Sequence, residues 1–222
     1  VEEAVRIADA EGLDAVSMRA VAKALDVGTM SLYRHVPGKD ELLALMVDRV
    51  VGEAPRVGER PGGWRAKLEA YAWAEWQLAH AHPWVLAVPA TYARPVAGPN
   101  MLAAYESVLH AADETGLPPR DVVRLVAAVG FLADGAARAS VDSALAARRT
   151  GITNEEWWGA QEAVIGEVFD PERYPTFAAL DEAGAFGSPD TDQYEDPIDY
   201  EGAFASALDA LLDGVEARVQ RR

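Results

Sequence analysis

The chain has 222 residues, 50% of them hydrophobic and 25% charged, with a formal net charge of -16. That length and apolar content suffice for a real core and one or two domains, while no apolar run approaches the roughly 20 residues of a membrane-spanning helix. Cysteine is absent, which excludes disulfides, Cys-ligated metals and thiol nucleophiles; no charged-then-apolar segment opens the chain, and a cytoplasmic location with no membrane partner is expected.

Apolar positions at spacings of three and four predict four short helices in the first fifty residues. The first, 1–11, carries Val5, Ile7 and Ala8 inward and ends at Gly12. Ser17 is the N-cap candidate for the second, 18–25, with Val21, Ala22 and Leu25 as its stripe. Asp26-Val27-Gly28 is a tight turn, and the third helix, 29–35, is broken by Val36-Pro37-Gly38. The fourth, 39–51, places Asp40 and Glu41 in its first turn, where the helix dipole favours acids. Two short helices joined by such a turn form the unit whose second member enters the DNA major groove, although any small helical bundle has similar turns.

The segment EAPRVGERPGG, 53–63, reads as a boundary and linker. Beyond it, helices are expected at 64–82, 100–115, 121–149, from the Thr153 cap to 169, and 200–222. A loop carrying Pro89, Pro95 and Pro99 separates the first two, and 181–199, acidic and rich in Gly and Pro, reads as an exposed loop. No repeat and no strand pattern appears, so the class is all-α. Catalytic and metal readings fail on spacing. His80 and His82 diverge by about 200 degrees on a helix, Asp190-Thr191-Asp192 continues with the wrong residues for a calcium loop, and no phosphate loop or nucleophile elbow is present.

Charge is unevenly distributed. Between Ser17 and Lys39 the charged residues are Arg19, Lys23, Arg34 and Lys39 against Asp26 alone, whereas 174–217 holds no Lys or Arg. Binding a polyanion needs only such a local basic surface. Thr29, Met30 and Ser31 open the third helix, the end that a recognition helix presents to base edges, and offer hydroxyls and a methyl. Tyr33 and Lys39 suit phosphates, by hydroxyl donation and by charge. Tyr33 has a second reading, packing beneath its own helix, as His35 has one as a neutral ring satisfied by its neighbours.

The run GLDAVSMRAVAKALDVGTMSLYRHVPGKDELL, 12–43, resembles the DNA-binding domain of the tetracycline-repressor (TetR) family, with the Leu-Tyr-x-His-Val segment and the Lys four residues after the His in the family's places. HPWVLAVPATYARPVAGPN and TGLPPRDVVRLVAAVGFLADGA resemble, more loosely, the family's effector-binding domain, and 144–199 matches least. The resemblance implies a helix-turn-helix DNA-binding domain (1–52), the linker (53–63) and a larger effector-binding and dimerisation domain (64–222). It implies a homodimer through C-terminal helices, a double-stranded palindromic operator, release by a small-molecule effector, and neither catalysis nor a cofactor. Arg19 matches a family position at the groove edge, while Met30 and Arg34 stand at variable positions. Expected DNA contacts are thus Arg19, Thr29, Met30, Ser31, Tyr33, Arg34, His35 and Lys39.

For the effector, Tyr71 and Glu75 share a helix face with Leu78 and fall where family members line the site. Trp76, Trp84, Met101, Tyr105 and Phe131 join them as large side chains on surrounding helices; aromatic residues at helical spacing also read as ordinary core. The apolar face of 122–139 and Leu208, Leu211, Leu212 and Val215 are expected to pair with a second copy. The competing reading is a helical small-molecule-binding protein or enzyme whose N-terminal helices only pack, with Thr29, Met30, Arg34 and Lys39 buried or blocked.

Overall fold

The computed structural model describes residues 1–88, 98–186 and 198–221, and among these every regular element is helical. The chain divides into two compact units, residues 1–138 with 204–222 and residues 139–203. No described helix is long and apolar enough to cross a membrane.

In the first unit, α1 (Glu2–Glu11) buries Ala4, Val5, Ile7 and Ala8 and ends at Gly12, whose φ of 86° belongs to the region glycine favours. The Ser17 hydroxyl accepts the Ala20 N–H at 3.1 Å and starts α2 (Met18–Ala24). Replacing Ser17 with Ala is expected to cost about 1 kcal/mol, read by chemical denaturation, because that helical N–H loses its partner. Asp26 adopts φ 54° in the turn between α2 and α3 (Thr29–Tyr33), a conformation Asp tolerates better than most side chains. Leu25, expected on the buried stripe, instead caps α2 and is 47% exposed, since the turn carries it out of the helical register.

Helix α4 (Lys39–Val51) packs Leu42, Leu43, Met46 and Val50 onto α1 and α2. Each such burial contributes about 1.5–3 kcal/mol. Trp84 and Val88, from far along the chain, complete the same core. The stretch 53–63 is itself packed: in a turn of 3₁₀ helix at Val57–Glu59, Val57 is buried and the Gly58 N–H donates to Ser107 Oγ at 2.8 Å.

Helix α5 (Trp64–Ala81) buries Leu68, Ala72, Trp76 and Ala79, one face at helical spacing. Around it stand α6 (Pro99–Asp113), the first part of α7 (Pro119–Thr150) and the C-terminal helix, Tyr200–Gln220. Phe204 from that last helix stacks flat on Trp76, with centroids 5.0 Å apart, and Trp73 meets it edge-on at 4.9 Å. Arg65 bridges to Asp209 and Asp213 at 3.2 and 2.7 Å.

One expectation is corrected. Of the four residues expected to face a second copy, Leu208, Leu212 and Val215 are buried within the single chain, together with Phe204, and Leu211 is partly buried, so that stripe is mainly core and not partner surface. The small residues Ala207, Ala210 and Gly214 take the exposed side of the same helix.

In the second unit, Thr153 and Glu156 form a capping box at the start of α8 (Asn154–Val168). A further helix, α9 (Pro175–Glu182), lies between the expected helix ending at 169 and the expected loop of 181–199, and only its last two residues enter that loop. Pro175 at its first turn and the Ala-Ala-Leu run start it, and its acidic end carries no helix-breaking residue before Gly184, at φ 75°. Tyr200–Gln220 becomes α10. The remainder of the acidic segment, 187–197, with the calcium-loop candidate, lies outside the described residues, as does the 89–97 stretch.

Candidate nucleic-acid interface and effector cavity

The α2–turn–α3 unit presents its polar side outward. Met30 is 78% exposed, and Arg19, Tyr33, Arg34, His35 and Lys39 are all exposed, with Thr29 and Ser31 partly so. Among the described residues, Arg19, Lys23, Arg34 and Lys39 form no ion pair, so the local positive charge is not neutralised internally; Arg34 Nη2 donates only to the Ser31 hydroxyl, at 3.2 Å. The sequence achieves this by spacing. Ala22, Val21 and Met18 take the inner face of α2, and Val36 is buried directly after α3. The chain between them is left with its hydroxyls, methionine and cations facing solvent. Gly38 N-caps α4, which places Lys39 at the first position of that helix. The competing reading required these side chains to be buried; they are open.

The C-terminal end of α4 meets the larger helical region through three polar joints. Asp48, buried on α4, accepts the Met101 N–H at 2.9 Å and Asn100 Nδ2 at 3.1 Å. Asp48 thereby satisfies an orphan N–H in the first turn of α6, with its charge at the positive end of the helix dipole. Gly98 is required there, because a Cβ would run into the Asp48 carboxylate. Arg56 donates to the Asn100 carbonyl at 3.2 Å. His82, just past α5, lies between Asp9 Oδ1 (2.7 Å) and Glu53 Oε2 (3.3 Å), and Trp84 Nε1 donates to the same Asp9 oxygen at 2.7 Å. None of Asp48, Arg56 or Asp9 was singled out by the sequence reading. The available signal was a lone acid inside the apolar run LLALMVDRVV.

Between these joints is a small cavity of about 20 Å³, room for a single water molecule in this state. Its walls are Val51 to Val57 in part, Tyr71, Ala74, Glu75 and Leu78 of α5, and Ala104 and Ser107 of α6. A second cavity of about 170 Å³ shares Ala54, Pro55, Ala74 and Leu78 with it and extends to His82. Burial, aided by the Asp134 carboxylate, pushes the Glu75 carboxyl up to about 7. Burial also raises Tyr71, with smaller effects from Glu75 and Tyr105. Gly130 of α7 leaves room for the Tyr71 hydroxyl, which a Cβ there would approach to 3.3 Å.

Of the seven side chains proposed to touch the effector, Tyr71 and Glu75 line this cavity. Trp76 is stacked on Phe204 in the core, and Trp84 is buried in the core shared by α1, α2 and α4. Phe131 is 78% exposed on α7 and Tyr105 45% exposed on α6; Met101 is engaged through its backbone with Asp48. Size and helix membership alone do not give the faces of such large side chains, which are set by partners distant in sequence. Among the described residues no group of three or more His, Asp or Glu side chains is placed to hold a metal ion.

These features agree with what the chain is similar to. Residues 1–46 match the family described as bacterial regulatory proteins, tetR family, and residues 55–219 match the tetracyclin repressor-like C-terminal domain. The HTH-type transcriptional repressor DrrR1 of Streptomyces coeruleorubidus is 43% identical over 227 residues, covering 100% of this chain and 77% of that protein. An HTH-type transcriptional regulator of Saccharopolyspora erythraea is 38% identical over 129 residues, covering 58% of this chain and 54% of that protein. Among solved structures, SCO7222, a TetR from Streptomyces coelicolor, aligns with a TM-score of 0.72 at 26% identity, over 97% of this chain and 95% of that one. ActR of the same organism, in complex with actinorhodin, shares the fold with a TM-score of 0.77 at 24% identity, over 97% and 92%. An open helix-turn-helix unit, the helical region joined to it and both family matches make this chain a member of the TetR family of DNA-binding, ligand-responsive transcriptional regulators.

Proposed function

We propose that the protein is a homodimeric repressor that binds a palindromic operator through residues 1–52 and is released when a small molecule enters the cavity beside α5. The observation that carries this reading is the course of α4. It begins at Lys39 within the basic cluster, and the chain leaving its other end, Val51 to Val57, forms one wall of the cavity. A helix of that length spans about 20 Å, so one rigid element connects the two sites. In its present state the cavity holds little more than water, and a ligand must displace Ala54 and Pro55 to enter. That displacement moves α4, and with it the recognition helices, which must fit major grooves about 34–36 Å apart. A ligand binding the non-DNA conformation about 100-fold better shifts the balance by about 2.7 kcal/mol.

The exposed sides of α7 and α10, with Val123, Phe131, Ala207, Ala210 and Gly214, support a dimer face of small and apolar residues that permits close helix approach. The relation to DrrR1 supports repression as the polarity. The residue assignments proposed for DNA are Arg19, Thr29, Met30, Ser31, Tyr33, Arg34, His35 and Lys39.

A gel-shift titration of the dimer against the DNA upstream of its own gene tests the reading. A sequence-selective complex whose affinity falls steeply with salt is expected. A verified folded dimer that forms no such complex at any site refutes it.

A further inference from the structure

Taking the cavity beside α5 as the effector site, we propose that its occupant is an organic cation, with a charged nitrogen against the Glu75 carboxylate and an apolar body against Tyr71 and Leu78. Glu75 lines the cavity, and among the described residues it makes no hydrogen bond or ion pair. Every fully buried polar side-chain atom described has a partner, so the unpaired Glu75 carboxylate keeps some accessible surface, and it belongs to the cavity lining. Leaving a carboxylate largely desolvated and unpaired is costly for the protein, and a cation removes that cost.

The surrounding charges select for the same class. Asp134 of α7 acts on Glu75 with a like charge, while the Tyr71 hydroxyl, raised by burial, brings no positive charge to the pair. Asp134 itself is 3.6 Å from Arg138 Nη2. Arg56, the cation in the lining, is turned to the Asn100 carbonyl and side-chain oxygens at 3.2 and 3.5 Å and makes no ion pair with Glu75. An anionic ligand would meet two carboxylates. A neutral one would leave Glu75 to be satisfied by a proton, whereas a cation takes the place of that proton and can lie over the Tyr71 ring.

The chemistry predicts proton-linked binding. Burial holds the Glu75 carboxyl near 7, so a cation binding below that pH must displace a proton. Affinity therefore falls by about tenfold per pH unit below about 7 and levels off above it, as long as the ligand stays protonated.

Isothermal titration of the full chain with naphthylmethylamine and with uncharged naphthylmethanol tests this. At about pH 8 the amine is expected to bind at least about tenfold tighter than the alcohol. Glu75→Gln is expected to erase that preference while leaving alcohol binding in place, and Asp134→Asn to reduce it in part. Equal binding of the two probes, binding of neither, or an amine preference that survives in Glu75→Gln overturns the assignment. Operator binding measured on the same preparation separates such a failure from failure of the repressor reading. The fold of Glu75→Gln is checked by its melting temperature, expected to rise near pH 8 and to stay unchanged near pH 4.5.

Discussion

Lys39→Glu is expected to weaken operator binding by about 100-fold or more at moderate salt, with the melting temperature unchanged. Lys39 is exposed, forms no ion pair among the described residues and sits at the first position of α4, so its removal costs the fold little. Each phosphate neutralised on duplex DNA contributes about 0.9 to the slope of log affinity against log salt. The proposed dimer would present two copies, so neutral Lys39→Ala should flatten that slope by about 2. The charge reversal adds repulsion to the lost contacts. Met30→Ala should behave differently: Met30 carries no charge and projects from the start of α3, so its loss should alter base preference and leave the salt slope intact. Fluorescence anisotropy over a salt series on operator and scrambled duplexes separates the two effects. A Lys39→Glu protein that binds operator like the parent would return the N-terminal helices to a packing role.

That division was legible in the sequence because turn residues and apolar spacing are local signals. Pro37 and Gly38 set the start of α4, Ser17 marked the start of α2, and the basic residues fell outside every apolar stripe. The cavity was legible only along one face of α5, at Tyr71, Glu75 and Leu78, where helical spacing puts a carboxylate between an aromatic ring and an apolar side chain. Trp76 immediately follows Glu75 yet turns about 100 degrees around the helix, onto Phe204. Nothing near Trp76 in sequence identifies that partner. Trp84 likewise finds Asp9, 75 residues earlier in the chain. The stripe of Leu208, Leu212 and Val215 shows the same gap: a periodic apolar face demands burial, but periodicity does not say whether the cover is the same chain or another copy.

The burial of Glu75 also gives stability a pH dependence of definite sign. Its folded carboxyl titrates near 7 and an unfolded one near 4.5, so between these values the folded chain holds a proton that the unfolded chain has lost. Stability conferred by that retained proton declines as pH rises from about 4.5 to about 7, and the full burial cost is present above. A regulator that keeps such a group keeps it at the expense of stability, which fits a site whose conformation is meant to change.

Asp48→Ala is expected to have the largest effect on the fold of any single change on α4's surface toward α6, about 2–4 kcal/mol. The carboxylate is buried, accepts the Met101 N–H at 2.9 Å and Asn100 Nδ2 at 3.1 Å, and lies at the positive end of α6. Truncation leaves both donors without their acceptor, while Asp48→Asn preserves the shape and one accepting oxygen and turns the other into an NH2 donor, which the Asn100 oxygen can accept once that amide turns over, so it should cost about 1 kcal/mol. For a chain of this size those losses correspond to melting shifts of roughly 4–16 °C and 2–4 °C. The functional consequence follows from where the joint lies. Asp48 ties α4 to α6, and both elements contribute to the cavity wall, α4 through Val51 at its end and α6 through Ala104 and Ser107. A loosened joint should let α4 move without ligand, so the folded Asp48→Asn protein should bind operator more weakly and respond less to any effector. Thermal melts and operator binding on the same samples distinguish the possibilities. Unchanged stability would mean water replaces the carboxylate, and normal operator affinity in a destabilised variant would move the coupling to the Asp9, His82 and Glu53 contact instead.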